Sequence, residues 1–416
     1  MKKVFLVLLM GFTLKVAAQT ATFSRIDSLL ERGRYQIALK ELKQINPQTY
    51  SSYYKIGKIY TSIDNHQKAV ENYKQSLFLE DNYSAQLMLG KSYQSLKKYS
   101  KAIAIYEQII AQNPKNLTLG YQLGKLYLRT NQLELAKGIF TRLTVLDTEN
   151  PNYNYQLALI SFKEKDGNGM IQNFLTSYKK DTSFVPAVYQ LAKTYTALKV
   201  KDSARIFLNK GLQLDSLDIN LNKLKINELY RERKYHIAVD YLQKIDSLEP
   251  DDVFTKKMLA KSYFNLGIYD KAELEFKKVG ALDPDDFSHF TYLGHIEKVR
   301  KEYQKARFNY YRAISAGKKS RHEEYYSLGV LELELNNLKK AMEMFGLSVK
   351  ENNRSHMALY QYALTTDSFY ADKKIVLERY QDYLNMFEYR DKDMTLFVKK
   401  RMDEIKKDAF MKRKKE

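Results

Sequence analysis

A 34-residue spacing constrains this chain more than any other feature. Stepping back from Ala272 in strides of 34 meets Ala238, Ala204, Met170, Ala136 and Ala102, and one stride forward meets Ala306. A second column of small residues runs beside it through Gly57, Gly90, Gly124, Ala158, Ala192, Ala260, Gly294 and Gly329. A single globular core imposes no such recurrence; stacked copies of one small unit do. Residues 253–286 show that unit most plainly, as two amphipathic helices joined by a tight turn and closed by Asp283-Pro284-Asp285-Asp286. Ala260 and Ala272 stand where the two helices cross closely, with Leu259, Tyr263, Phe276 and Val279 supplying the apolar surface around them.

The units follow one another in phase. A shortened first copy occupies 19–50 and ends at Asn46-Pro47, a helix stop. The second has Tyr53, Ile56, Gly57, Tyr60, Ala69 and Tyr73; the third Leu89, Gly90, Tyr93, Ala102, Tyr106 and Pro114; the fourth Leu123, Gly124, Tyr127, Ala136, Phe140 and Leu143. In this order (an aromatic, Leu-Gly/Ala, a Tyr, an Ala, an aromatic, a closing Pro) the residues resemble the tetratricopeptide repeat, over roughly 19–353. The resemblance implies an all-α, right-handed solenoid of about ten helix pairs.

Two copies depart from the pattern. In 151–182 the column alanine is Met170 and the run Asp166-Gly167-Asn168-Gly169 stretches the turn; in 219–250 the small residue is Ile226 and Leu229 replaces the tyrosine. One extra residue enters near Ser315-Ala316-Gly317. Beyond the array (19–355), residues 356–390 form a degenerate helix pair with Ile375 at the alanine position. Residues 391–416 then read as a capping helix with a basic tail, its apolar face made by Val398, Met402, Ile405 and Ala409.

Residues 1–18 have a charged start, an apolar run and small residues at Val16 and Ala18, the pattern of a secretory signal cleaved before Gln19. With no cysteine there is no disulfide and no lipid-attachment site of the bacterial lipoprotein type. The expected product is exported to a periplasm or cell envelope, with no later stretch of membrane-spanning length. Loss of Lys2, Lys3 and Lys15 with the leader takes the net charge from +20 to +17, and 399–416 hold nine Lys/Arg against four Asp/Glu. Such a surface favours anionic partners; export argues against nucleic acid.

No catalytic constellation assembles. Cysteine nucleophiles are excluded by composition, and His66, His236, His289, His295, His322 and His356 lack zinc-site spacing, reading as surface or groove residues. No metal or cofactor is expected. Asp251-Asp252 and Asp285-Asp286 read as helix caps, and Asn116-Leu117-Thr118 matches a glycosylation acceptor. One arrangement stands out. Lys58, Lys91, Lys125, Lys193 and Lys261 each follow the small residue of a first helix, and Tyr54, Tyr121, Tyr155 and Tyr189 lie one helical turn back from that register. In the tetratricopeptide family these positions line the concave groove where extended peptides lie. The expected function is a non-catalytic adaptor that holds a protein or peptide partner, an acidic one by charge, in this groove. The alternatives are a binder of anionic envelope polymers or membrane surfaces, and a non-catalytic subunit of an enzyme or secretion complex.

Overall fold

The computed structural model describes residues 22–316 and 320–413. The leader-like segment, the end of the basic tail and, near the insertion, residues 317–319 lie outside the described residues. The chain divides by internal contacts into two compact units, residues up to Asp215 and residues from Ser216 onward.

The first unit holds α1 (22–31), α2 (Tyr35–Gln44), α3 (Tyr50–Ser62), α4 (His66–Leu79), α5 (Tyr83–Ser95), α6 (Tyr99–Gln112), α7 (Leu117–Arg129), α8 (Leu133–Leu146), α9 (Pro151–Lys163), α10 (Gly167–Lys180), α11 (Val185–Ala197) and α12 (Lys201–Leu214). The second holds α13 (Ile219–Arg231), α14 (Tyr235–Leu248), α15 (Val253–Asn265), α16 (Tyr269–Leu282), α17 (Ser288–Val299), α18 (Tyr303–Ala316), α19 (His322–Glu334), α20 (Leu338–Glu351), α21 (His356–Phe369), α22 (Lys373–Phe387) and α23 (Lys392–Arg413). No strand occurs among the described residues. Within each unit the odd-numbered helix packs on its even partner, and that partner on the next odd helix, as in a solenoid. Contacts of α3 with α5, α7 with α9 and α17 with α19 put odd helices side by side on one face.

The turns inside the pairs from α1–α2 to α19–α20 are built the same way. A residue in the left-handed region ends the odd helix: Lys97 (φ 55°), Asn131 (φ 60°), Lys165 (φ 62°), Lys199 (φ 60°), Arg233 (φ 57°) and, with no side-chain penalty, Gly267 (φ 75°). The next amide then reaches back five residues, as in Lys98 N–H to Tyr93 O at 2.9 Å and Ile268 N–H to Tyr263 O at 2.9 Å. This closes carbonyls that the helix end would leave orphaned. Polar side chains start many of the helices. Asn65, Asn82, Asn116, Asn150 and Asp252 each accept an amide of the first turn.

The glycine column has a specific partner. A Cβ on Gly57 would sit 2.6 Å from the Tyr73 ring, on Gly90 2.3 Å from Tyr106, and on Gly124 2.7 Å from Phe140. Gly294 meets Tyr310 at 2.7 Å and Gly329 meets Phe345 at 2.6 Å in the same way. In each couple the partner lies 16 residues on, on the even helix. Where the column carries Ala192, the corresponding residue is the smaller Leu208, and where it carries Ile226 the corresponding residue is Leu242; all four are buried. Ile226 is therefore a fully buried packing residue matched in volume to its partner. The alanine column from Ala38 through Ala341 is buried as expected, while Met170 is half-buried in its place.

Three readings of the chain are corrected. The run Asp166-Gly167-Asn168-Gly169 does not stretch a turn: α10 begins at Gly167, and Asp166 caps it by accepting the Gly169 amide at 2.9 Å. In α22 the column is filled by Val376, fully buried, and Ile375 stands beside it half-buried, because the buried Tyr380 sets the four-residue register. In α23 the buried side ends at Ile405; Ala409 is exposed, because the last two turns run past the surface that buries Val398 and Met402.

Candidate functional site

The odd helices of the first unit present the expected lysines and tyrosines. Lys58, Lys91, Lys125 and Lys193 are exposed, whereas Tyr54, Tyr121, Tyr155 and Tyr189 are half-buried. Three of the tyrosines pack on the aromatic ring that fills the small-residue notch. Tyr54 lies 5.9 Å from Tyr73, Tyr121 5.8 Å from Phe140 and Tyr155 5.5 Å from Phe174, centroid to centroid. These half-buried phenols belong to the core, with one face spent on packing. Gln156 donates to the Tyr121 hydroxyl at 3.1 Å, and burial raises the pKa of that phenol.

The cations remain uncompensated. Among the described residues no carboxylate lies within 4.0 Å of Lys58, Lys91, Lys125 or Lys193. The Lys125 ammonium sits 5.4 Å over the Tyr121 ring and that of Lys193 5.9 Å over Tyr189. Each ring thus holds its lysine over the face without neutralising it.

Lys261 belongs to the second unit and differs from the rest. It is half-buried, over the Tyr292 ring at 5.4 Å, and its pKa is lowered by burial and then by the Lys257 ammonium. Here the position one turn back is occupied by lysines that are already paired: Lys223 with Asp252 at 2.9 Å and Lys257 with Asp286 at 2.5 Å. Both acids stand at the start of the following odd helix.

A cavity of about 600 Å³ opens between α5 and α7, closed behind by α6. Lys91 lines it with Lys97, Arg129, Tyr83, Tyr99, Tyr106, Gln94, Asn116 and Gln122, and no carboxylate is among its lining residues. The Arg129 guanidinium lies 4.9 Å over the Tyr99 ring. Asn116 caps α7 through its oxygen, accepting the Leu119 amide at 3.0 Å, and donates its amide nitrogen to the Tyr83 hydroxyl at 3.0 Å. The glycosylation-acceptor asparagine is thereby a cap and a wall of this cavity. Tyr83, Tyr99, Lys97 and Arg129 lie at helix ends, outside the register that picks out the lysine ladder. A search for cations within one helical turn of Lys91 and Lys125 would have found Lys97 only as a turn residue and Arg129 directly.

His289 and His295 are packing residues, and His289 corrects the surface reading. It is buried, with Nδ1 2.6 Å from the Asp286 carbonyl and Nε2 2.6 Å from where a Cβ on Gly280 would stand. His295 Nδ1 lies 2.8 Å from the Tyr310 hydroxyl, and burial takes its pKa down to about 4.

Two models of one family match the chain. Those of the tetratricopeptide repeat fit residues 50–82 and 93–160. These stretches are tetratricopeptide repeats. Superkiller protein 3 of Schizosaccharomyces pombe is 23% identical over 197 residues, which are 45% of this chain and 14% of that protein, so the match spans about a seventh of the relative's length. Among solved structures, yeast Tom70 shares 15% identity at a TM-score of 0.43, over 94% of this chain and 96% of its own. MamA of Desulfovibrio magneticus RS-1 shares 22% at 0.36, over 40% of this chain and 96% of its own. YrrB, described as a TPR protein with an unusual peptide-binding site, shares 19% at 0.36, over 46% of this chain and 97% of its own. Tetratricopeptide arrays are scaffolds for protein–protein interaction, their stacked odd helices forming the exposed face.

Proposed function

We propose that the tetratricopeptide face of the first unit is a non-catalytic holder for an extended acidic segment of a partner protein, acting in an exported compartment. The observation that carries this reading is the cavity around Lys91: three cations and three phenols converge with no acid among them. Coulomb attraction draws a carboxylate-bearing chain in, and the phenol walls give flat, low-entropy surfaces for its apolar side chains. Lys58 on α3 and Lys125 on α7 stand in the same register on the odd helices either side of α5, and Lys193 repeats it on α11, which suits a segment longer than one side chain. The secretory pattern of residues 1–18 supports the exported setting, and no described helix is long and apolar enough to cross a membrane.

The test is a triple variant, Lys91→Glu, Lys125→Glu and Lys193→Glu, titrated with a fluorescent peptide of mixed glutamate and tyrosine. At least a tenfold weakening, or about 1.4 kcal/mol, is expected with helicity unchanged. Undiminished binding by the folded triple variant refutes the groove reading.

A further inference from the structure

A terminal helix that merely seals a solenoid turns a polar outer face to water. The outer face of α23 does not conform. Val398, Met402 and Ile405 are its buried side. At 100° per residue Leu396, Lys400 and Lys407 fall on the opposite side. Leu396 is 68% exposed, Phe397 46% and Met411 50%. Tyr389 and Met386, just ahead of the helix, are exposed as well. The exposed apolar side chains are interleaved with lysines and with Asp393, Asp403 and Glu404. Lys399 is bonded to Glu388 and Arg401 to Asp367 and Glu404, while Lys400, Lys406 and Lys407 have no carboxylate within 4.0 Å among the described residues. The surrounding sequence, 399–416, has nine Lys/Arg against four Asp/Glu.

We infer that this outer face of α23 lies on an anionic lipid surface. Large apolar groups separated by lysines on one side of a helix fit the boundary between headgroups and acyl chains, where the ammonium groups stay among phosphates. A second copy of the chain is the poorer occupant, since a symmetric contact would set the same lysines against each other. The inference concerns the second unit only and is independent of the groove around Lys91.

The experiment is vesicle co-sedimentation of the full chain, so that any contribution of residues 1–18 is common to every variant. Wild type is expected to bind mixed phosphatidylglycerol–phosphatidylcholine vesicles and to bind phosphatidylcholine alone far more weakly. With each lysine near an anionic surface worth about a fivefold change, Lys400→Gln, Lys406→Gln and Lys407→Gln together should weaken binding about 100-fold. Leu396→Ser with Phe397→Ser, which leaves the charge untouched, should weaken it further at high salt, where the apolar contact dominates. All five positions are exposed, and an unchanged far-ultraviolet circular dichroism spectrum verifies the fold of each variant. The inference is overturned by any of three results: no preference for the anionic vesicles, a lysine variant that binds like wild type, or a face that is covered instead by dimerisation or by an acidic protein with no affinity for vesicles.

Discussion

Gly90→Ala tests the packing rule where it is tightest. The new Cβ would lie 2.3 Å from Tyr106 Cε1, 2.9 Å from Cδ1 and 3.2 Å from Cζ. Carbon atoms in contact prefer about 3.5–4.0 Å, so the ring must retreat by more than about 1 Å. Tyr106 is 1% exposed, so its ring can retreat only by displacing neighbours or by moving into the cavity it helps to line. Overpacking of this kind costs about 1–3 kcal/mol. Against it stands the gain of replacing glycine by alanine within a helix, about 1 kcal/mol. The net expectation is a loss of about 0–2 kcal/mol. Gly138→Ala separates the two effects. Gly138 is inside α8, exposed, with nothing within 4 Å of its Cβ position, so only the propensity gain remains. In urea denaturation followed by circular dichroism, with the slope unchanged, the two variants should differ by about 1–3 kcal/mol. Tyr106→Leu in the Gly90→Ala background should recover part of the loss, since Ala192 already lives with Leu208 in the equivalent place. Equal midpoints for Gly90→Ala and Gly138→Ala would refute the reasoning.

Three further outcomes follow from other sites. Ala272 is fully buried at its crossing, and Ala272→Leu should cost about 1–3 kcal/mol by overpacking, an unchanged melting curve showing that no crossing is there. Ile226→Ala should cost about 2–5 kcal/mol by opening a cavity against Leu242, although it restores the commoner residue of the column; a neutral result in chemical denaturation would mean that the pair is not volume-matched. His295 is held neutral by burial, with its folded pKa near 4 against 6.5 for the ordinary side chain. A depressed folded value means that the unfolded chain takes up the proton first. Its contribution is thus whole above about pH 6.5 and falls away as the pH drops toward 4, by up to about 3 kcal/mol. His295→Gln should flatten that part of the pH–stability curve, and a wild-type slope persisting in the variant would assign the proton uptake elsewhere.

The architecture was legible because one spacing carried it. Columns of alanine and glycine at 34-residue intervals fix which faces meet, and nearly all of those residues are buried as the spacing requires. Less legible was the compensation between helices. Ile226 looks like a departure until Leu242 is seen opposite, because a single column gives volume on one side of the contact only. The site was half legible. Register alone placed Lys58, Lys91, Lys125 and Lys193 on the exposed face, but it could not tell an unanswered lysine from one like Lys257, whose partner Asp286 sits 29 residues on. Nor could register show that Tyr54, Tyr121 and Tyr155 spend one ring face on packing, or that Tyr83, Tyr99 and Arg129 close a cavity from three different helices. The buried side of α23 was misjudged at Ala409 for a related reason: periodicity marks a stripe, and only the neighbour's length decides where covering stops.

The glycine–ring couples also limit how such a chain can be rearranged. A notch on one helix and the side chain that fills it are inherited together only if the 15 intervening residues travel as a block. Exchanging whole helix pairs between copies keeps every couple intact. Grafting a lone odd helix, for example one bearing Ile226 in front of Tyr106, would set a branched chain against a ring that needs bare backbone. Duplication and trimming of this protein should therefore succeed in steps of one full repeat, and fail at the half step.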